Sequence, residues 1–312
     1  MKNNLLKPII LAFGTAILLS ACSGGTKNTT VTDSSMTDST QMATLKPAGP
    51  APEWGKTIRP EMQVIIEKLS SYGDQPIETL SATDARKNHT PTDAVMDVAK
   101  QNNLAVPMPE VDTTGKDIDA DNGKVHLRIY TPKVGNGPYP LIVYYHGGGF
   151  VIANLDVYHA SAQALAEQVG AIVVSVAYRL APENKFPTAH NDAFAAYEWA
   201  VKNAVDLKAD PAKIAVAGES AGGNLAANVS IMARNKHIML PVHQVLIYPI
   251  AQADMDTKSY KMYENAKPLN KAMMGWFVKN YLNNTEEAKN PIISIVNASL
   301  KGLPSTTIIL AE

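Results

Sequence analysis

The chain has 312 residues, 46% of them hydrophobic and 18% charged, which suits one large globular α/β domain with additions. Lys and Arg number 28 against 29 Asp and Glu, a formal charge of −1, which excludes the basic footprint of a nucleic-acid binder. A single cysteine excludes an intramolecular disulfide framework.

Residues 1–21 read as an export signal peptide. Lys2 and Lys7 form its positive end, and Ile9 to Leu19 is an apolar core broken only by Gly14 and Thr15. That core is too short for a comfortable span of hydrocarbon, which takes about 20 residues. Leu19-Ser20-Ala21-Cys22 resembles the lipobox of bacterial lipoproteins, which implies acylation of Cys22 and a lipid anchor to the membrane. The alternative is a signal anchor with an incidental cysteine. Ser23 rather than Asp follows Cys22, and the resemblance then implies a bacterial cell-envelope location at the outer membrane, facing the periplasm. Residues 22–52 are Ser, Thr, Asp, Gly and Pro with almost nothing to bury, so a disordered tether is expected.

From Ile58 to about Leu104 the pattern is helical, broken by Gly73, Pro76 and Pro91. Met62, Ile65, Ile66 and Leu69 fall on one face at i, i+3, i+4, i+7 spacing. Ile118 to Tyr130 alternates apolar and polar residues around Asp121-Asn122-Gly123 and predicts a hairpin. Leu141–Tyr145 and Ala171–Ala177 are continuous apolar strands flanking a helix from about Ala160 to Val169, a pattern that suits a parallel sheet covered on both faces. Phe194 to Ala204 predicts a further helix, Ile214–Ala217 and His243–Ile250 two more strands, and Thr306–Ala311 the last one. This alternation specifies an α/β fold with a doubly wound, mostly parallel sheet.

Two glycine turns sit at the carboxyl ends of buried strands. Gly218-Glu219-Ser220-Ala221-Gly222 follows Ile214–Ala217 and precedes a small-residue helix, the strand–turn–helix context of a G-x-S-x-G nucleophile elbow. Its sharpness holds the Ser220 hydroxyl clear of the strand and aims the Ala221 N–H at an oxyanion. The pentapeptide alone also fits a βα turn that closes a loop or binds an anion. The second turn, His146-Gly147-Gly148-Gly149-Phe150, follows Leu141–Tyr145. In hydrolases with such an elbow an HGGG turn completes the oxyanion hole, and Gly147 and Gly148 are the expected donors. Neither cluster fits G-x-G-x-x-G or a P-loop, which disfavours nucleotide binding.

With Tyr178-Arg179-Leu180-Ala181-Pro182-Glu183, Phe186-Pro187, Asp192 and the weaker Leu303-Pro304 to Glu312, these turns resemble the hormone-sensitive-lipase-like, bacterial family IV carboxylesterases of the α/β-hydrolase superfamily. The likeness runs over roughly residues 60–312. It implies N-terminal cap helices over residues 53–110 and an α/β-hydrolase core over 111–312. A second cap segment is inserted at about 254–298. Met273, Met274 and Phe277 in that insertion are candidates to line an apolar ester pocket, with helix packing as the alternative. Arg179, Glu183 and Asp192 are expected to be structural, with Arg179 pairing to an acid. Asp more often stands where Glu219 does.

The resemblance implies a serine carboxylesterase acting on short-to-medium acyl or aryl esters through an acyl-enzyme, with no metal or cofactor. The family's triad order is Ser, then an acid, then a His. Here the sequence reaches Glu312 without that acid and His, so the expectation is a fold lacking its C-terminal part and an enzyme impaired as it stands. The alternatives are a non-catalytic ligand-binding lipoprotein and an amide-hydrolysing or deacylase variant of the same fold.

Overall fold

The computed structural model describes residues 45–106 and 108–310. The signal segment, Cys22 and most of the expected tether lie outside the described residues. The chain divides into two compact units, one of residues up to 73 together with 89–106, the other of residues 74–88 and those from 108 onward.

The first unit is built on α1 (Pro60–Ser71) and α3 (Pro91–Gln101); α2 (Ala82–Ala85), between them in sequence, belongs to the second unit. Both long helices begin with a proline, whose missing N–H would have had no partner in the first turn. Thr90 and Asp93 form a capping box at α3. The two helices are joined by Tyr72 Oη donating to Asp97 at 2.9 Å and by Lys68 pairing with Asp97 at 3.0 Å. The expected apolar face of α1 is only half-buried, and the buried residue there is Gln63. Its amide donates to Gly49 O at 2.9 Å and Pro50 O at 3.0 Å, while Ala48 N donates to Glu67 at 2.7 Å. Residues 48–50, expected in the disordered tether, are therefore tied down along α1. Polar side chains made that contact, which an apolar periodicity cannot register.

The second unit is a seven-stranded sheet in the order β1-β2-β4-β3-β5-β6-β7. β1 (Val111–Ala120) and β2 (Gly123–Pro132) form the predicted hairpin, with Asn122 at φ +56° in its turn. β2 also pairs antiparallel with β4 (Ile172–Ala177). From there β3 (Tyr139–Tyr145), β5 (Ala209–Glu219), β6 (His243–Ile247) and β7 (Ser305–Ile309) run parallel. The helices α4 (His159–Val169), α5 (Thr188–Asn203) and α6 (Ala221–Asn235) supply the connections. Leu141, Val143, Ile172, Val174, Ile214 and Val216 are fully buried, as strands covered on both faces require. The insertion between β6 and β7 carries α7 (Lys258–Met262) and α8 (Lys271–Tyr281). Among the described residues β1 and β7 lie at the two edges, and Ile308 of β7 is exposed.

Element boundaries depart from expectation in three places. α5 begins six residues before Phe194, and β5 extends back to Ala209 through a polar stretch paired at Tyr139↔Ala209. β6 stops at Ile247 because Tyr248 turns to φ +34° and Pro249 has no N–H for a ladder.

Candidate active site

The elbow joins β5 to α6 at Ser220, whose backbone sits at φ 54°, ψ −115°. A non-glycine residue held there stores on the order of 1–3 kcal/mol. The surroundings enforce it: Ser220 N donates to Ile247 O at 2.9 Å, while Ser220 O accepts from Asn224 N and Ile250 N, each at 3.1 Å. A Cβ at Gly222 would strike the carbonyl oxygens of Tyr145 and His146, so β3 approaches α6 as closely as backbone allows. Ser220 is half-buried while Gly218, Glu219, Ala221 and Gly222 are buried, which leaves the serine as the accessible member of the turn.

The HGGG turn leaves β3 directly beside it. His146 Nδ1 donates to Gly147 O at 2.7 Å, and Tyr178 Oη donates to His146 O at 2.9 Å with the two rings stacked. Burial pulls His146 down to about 4, so it is neutral at pH 7 and serves as a structural donor. Gly147 is buried and lies against the Tyr158 hydroxyl, which a Cβ there would strike. Gly148 is half-buried; its carbonyl accepts from Val151 N at 3.0 Å and Ile152 N at 2.9 Å. No backbone carbonyl among the described residues accepts from the N–H of Gly148 or Gly149. Ala221, as the first residue of α6, has an N–H without an acceptor inside the helix.

A small apolar cavity, with room of about 30 Å³ for water-sized molecules, opens beside this turn. Gly149, Phe150, Ile250, Met274, Phe277 and Tyr281 are among its walls. Met273 is absent from that lining and packs on the hydrophobic core instead. α8 brings Phe277 so close to Gly149, at φ +59°, that any Cβ there would enter the ring.

The surrounding loops are held by ion pairs. Arg179 forks onto the fully buried Asp192, with Nη2 to Oδ1 at 2.6 Å, and also donates to the Asp121 and Asn122 carbonyls of the β1–β2 turn. Glu183 pairs with Arg86, which in addition donates to Val151 O at 2.8 Å and Ala181 O at 2.6 Å. Arg86 thus holds the segment leaving the HGGG turn, and nothing around it in the sequence signals that role. Asn224 is a second residue of this kind. Its Nδ2 donates to Ile250 O and Ile293 O, and its Oδ1 accepts from His190 Nε2 at 2.9 Å.

Ser220 Oγ has no hydrogen-bonded base among the described residues. His126 meets Asp117, His159 meets Tyr130, His190 bridges Tyr281 and Asn224, and His243 meets Ser305 and Thr307. His89 stacks on Tyr72. The described residues also contain no cluster of His, Cys, Asp or Glu that could hold a metal, and no helix long and apolar enough to cross a membrane.

Comparison with known proteins agrees with this geometry. Residues 142–312 match a family described as having the alpha/beta hydrolase fold. The carboxylesterase NlhH of Mycobacterium tuberculosis is 38% identical over 192 residues, 60% of each chain, so the match spans about three-fifths of that relative's length. The carboxylic ester hydrolase LipN of the same species is 34% identical over 268 residues, covering 82% of this chain and 68% of LipN. A hyperthermophilic esterase from Pyrobaculum calidifontis superimposes with a TM-score of 0.72 at 33% identity, over 80% of this chain and 79% of the esterase. Sheet order, elbow and sequence agree: the chain belongs to the α/β-hydrolase fold family.

Proposed function

We propose that this protein is a serine carboxylic ester hydrolase acting on short-to-medium acyl or aryl esters. The observation that carries the reading is the strained, accessible Ser220 at the tip of the elbow, beside free backbone amides. Ser220 Oγ attacks the ester carbonyl, and the negative oxygen is held by the N–H groups of Ala221 and Gly148. Gly147, the other donor expected in the HGGG turn, joins them. The C–O bond to the alcohol breaks, the alcohol leaves with a proton, and water then releases the acyl group and restores the hydroxyl. The apolar cavity walled by Met274 and Phe277 accepts the hydrocarbon part of the substrate. Relatives named carboxylesterase and arylesterase support the ester class.

The full chain should hydrolyse p-nitrophenyl acetate, and Ser220→Ala should abolish that turnover. A nucleophile-independent residue of catalysis from oxyanion hole and binding is worth about 10³–10⁴ over water, so the comparison needs the alanine variant and not buffer alone. Undiminished turnover in Ser220→Ala would contradict the assignment. The unpartnered Ser220 Oγ favours one competing reading, a ligand-binding protein that keeps the pocket without chemistry. In that case wild type and variant would be equally inert while binding esters alike. An amide-hydrolysing variant would differ in preferring anilides over phenyl esters.

We also propose that Cys22 carries the lipid anchor, which would place the protein at the outer membrane facing the periplasm. The supporting observation is the Leu19-Ser20-Ala21-Cys22 sequence behind an apolar core. Cys22→Ser should move the protein from the membrane fraction to the soluble one; retention on membranes would remove the proposal.

A further inference from the structure

The residue before the nucleophile is a buried acid that ester hydrolysis, as described above, does not use. Glu219 is fully buried, and among the described residues its side-chain hydrogen-bond partners are two phenols and no cation. A carboxyl in such a place is expensive unless hydrogen bonds compensate it. Two do: Oε1 meets the Tyr144 hydroxyl, and Oε2 meets the Tyr248 hydroxyl at 2.9 Å. A third phenol, Tyr158, lies beside this pair, its ring centroid 6.5 Å from that of Tyr144. These three tyrosines are the titratable groups facing Glu219, with neutral His146 one ring further on beside Tyr158.

The three phenols come from the three segments that meet at Ser220. Tyr144 is the penultimate residue of β3, two residues before the HGGG turn begins at His146. Tyr248 follows β6, where its N–H donates to Ile309 O at 2.6 Å. Tyr158 precedes α4, and its hydroxyl lies against Gly147. Gly147 is wedged between the Tyr158 hydroxyl and the Glu219 carbonyl, and a Cβ there would strike the first and crowd the second. Glu219 therefore borders the first glycine of the oxyanion turn twice, by its own backbone and through a phenol.

We propose that Glu219 is a positioning residue: through Tyr158 it fixes Gly147, and so sets the direction in which the Gly147 and Gly148 amides face Ser220. The proposal rests on the ester-hydrolase reading for its kinetic consequences only. Burial outweighs the two phenol hydrogen bonds and pushes Glu219 up to about 8, so it is mostly the neutral acid at pH 7. The cluster then has a proton to share among four oxygens. Above that pH the carboxylate accepts from the phenols only, and the hold on Gly147 changes.

Two variants and two readouts test this. Tyr158→Phe removes the link to Gly147 and should lower kcat on p-nitrophenyl acetate by about 10–100-fold with little change in KM, the effect of a small misplacement of reacting groups. In wild type kcat should fall as pH rises through about 8. Glu219→Gln, which cannot ionise, should lack that fall. Amide hydrogen exchange of the peptide spanning 146–150 reads the turn directly, whether or not esters are turned over. After correction for intrinsic rates, exchange should be faster in Tyr158→Phe at every pH. In wild type it should quicken above pH 8, and in Glu219→Gln it should not. Unchanged kcat and unchanged exchange in Tyr158→Phe would overturn the proposal, as would an alkaline change that persists in Glu219→Gln. If Glu219→Gln does not fold, Tyr158→Phe decides alone. If wild type is inert toward esters, the ester reading falls and the exchange comparison still decides the positioning role.

Discussion

Ser220 is held in a backbone conformation that only its neighbours make tolerable. Gly218 and Gly222 let β3, β5 and α6 approach until no methyl group fits between them, and the strain is stored where the hydroxyl must project. The same crowding sets the wall of the substrate cavity at Gly149, where a positive φ and the Phe277 ring both exclude a side chain. Gly149→Ala should therefore destabilise the protein by about 1–3 kcal/mol, the usual range for overpacking. Phe277→Ala, which empties a buried site, should by itself cost about 3–5 kcal/mol. Because the two residues touch, the double variant should be more stable than the sum of the two losses, by about 0.5–3 kcal/mol. Urea unfolding of the four proteins measures that coupling; strict additivity would show that the ring does not sit on the turn.

The elements differ in how far they can be read in the sequence, and the difference follows from what decides each. β3, β4 and the buried part of β5 are unbroken apolar runs ending in glycine turns, so local composition suffices to find them. The β1–β2 hairpin is announced by Asp121-Asn122-Gly123 because a turn with positive φ selects those residues. Ser220, Gly148 and Ala221 are legible for the same reason: a cramped strand–turn–helix junction tolerates few sequences. Contacts made across the sheet leave no local trace. The polar start of β5 pairs only because Tyr139 lies opposite, and Gln63 is buried because residues 49 and 50 pass over it. Met273 and Met274 are adjacent on α8 and both pack against the core, and only the packed helix shows that Met274 also lines the cavity. The Arg86 clamp and the Glu219 phenol cluster are likewise long-range pairings without period or motif.

Over the whole molecule, three buried ionisable groups give stability a defined pH dependence. His146 and His190 are depressed by burial to about 4, below their ordinary 6.5. Unfolding frees them to take up protons, so the stability they carry is lost as pH falls from 6.5 toward 4. Glu219 is raised from 4.5 to about 8 by burial, so the folded state holds its proton longer and stability is lost as pH rises between those values. From pH 4.5 to 6.5 two histidines oppose one glutamic acid, and Tm should climb. From 6.5 to 8 only Glu219 acts, and Tm should decline. Thermal melts across that range should show a maximum near pH 6.5, and Glu219→Gln should flatten the alkaline side. A Tm that rises steadily from pH 6.5 to 8 would contradict the assignment of Glu219 as a buried neutral acid.

The most direct measurement is covalent capture of Ser220. A fluorophosphonate phosphorylates a serine only where the hydroxyl is exposed and the displaced charge is stabilised by an oxyanion hole. We expect intact mass spectrometry of the full chain to show a single adduct, peptide mapping to place it on Ser220, and Ser220→Ala to remain unlabelled. A folded wild-type protein that resists the reagent, or an adduct on another residue, would contradict Ser220 as the nucleophile.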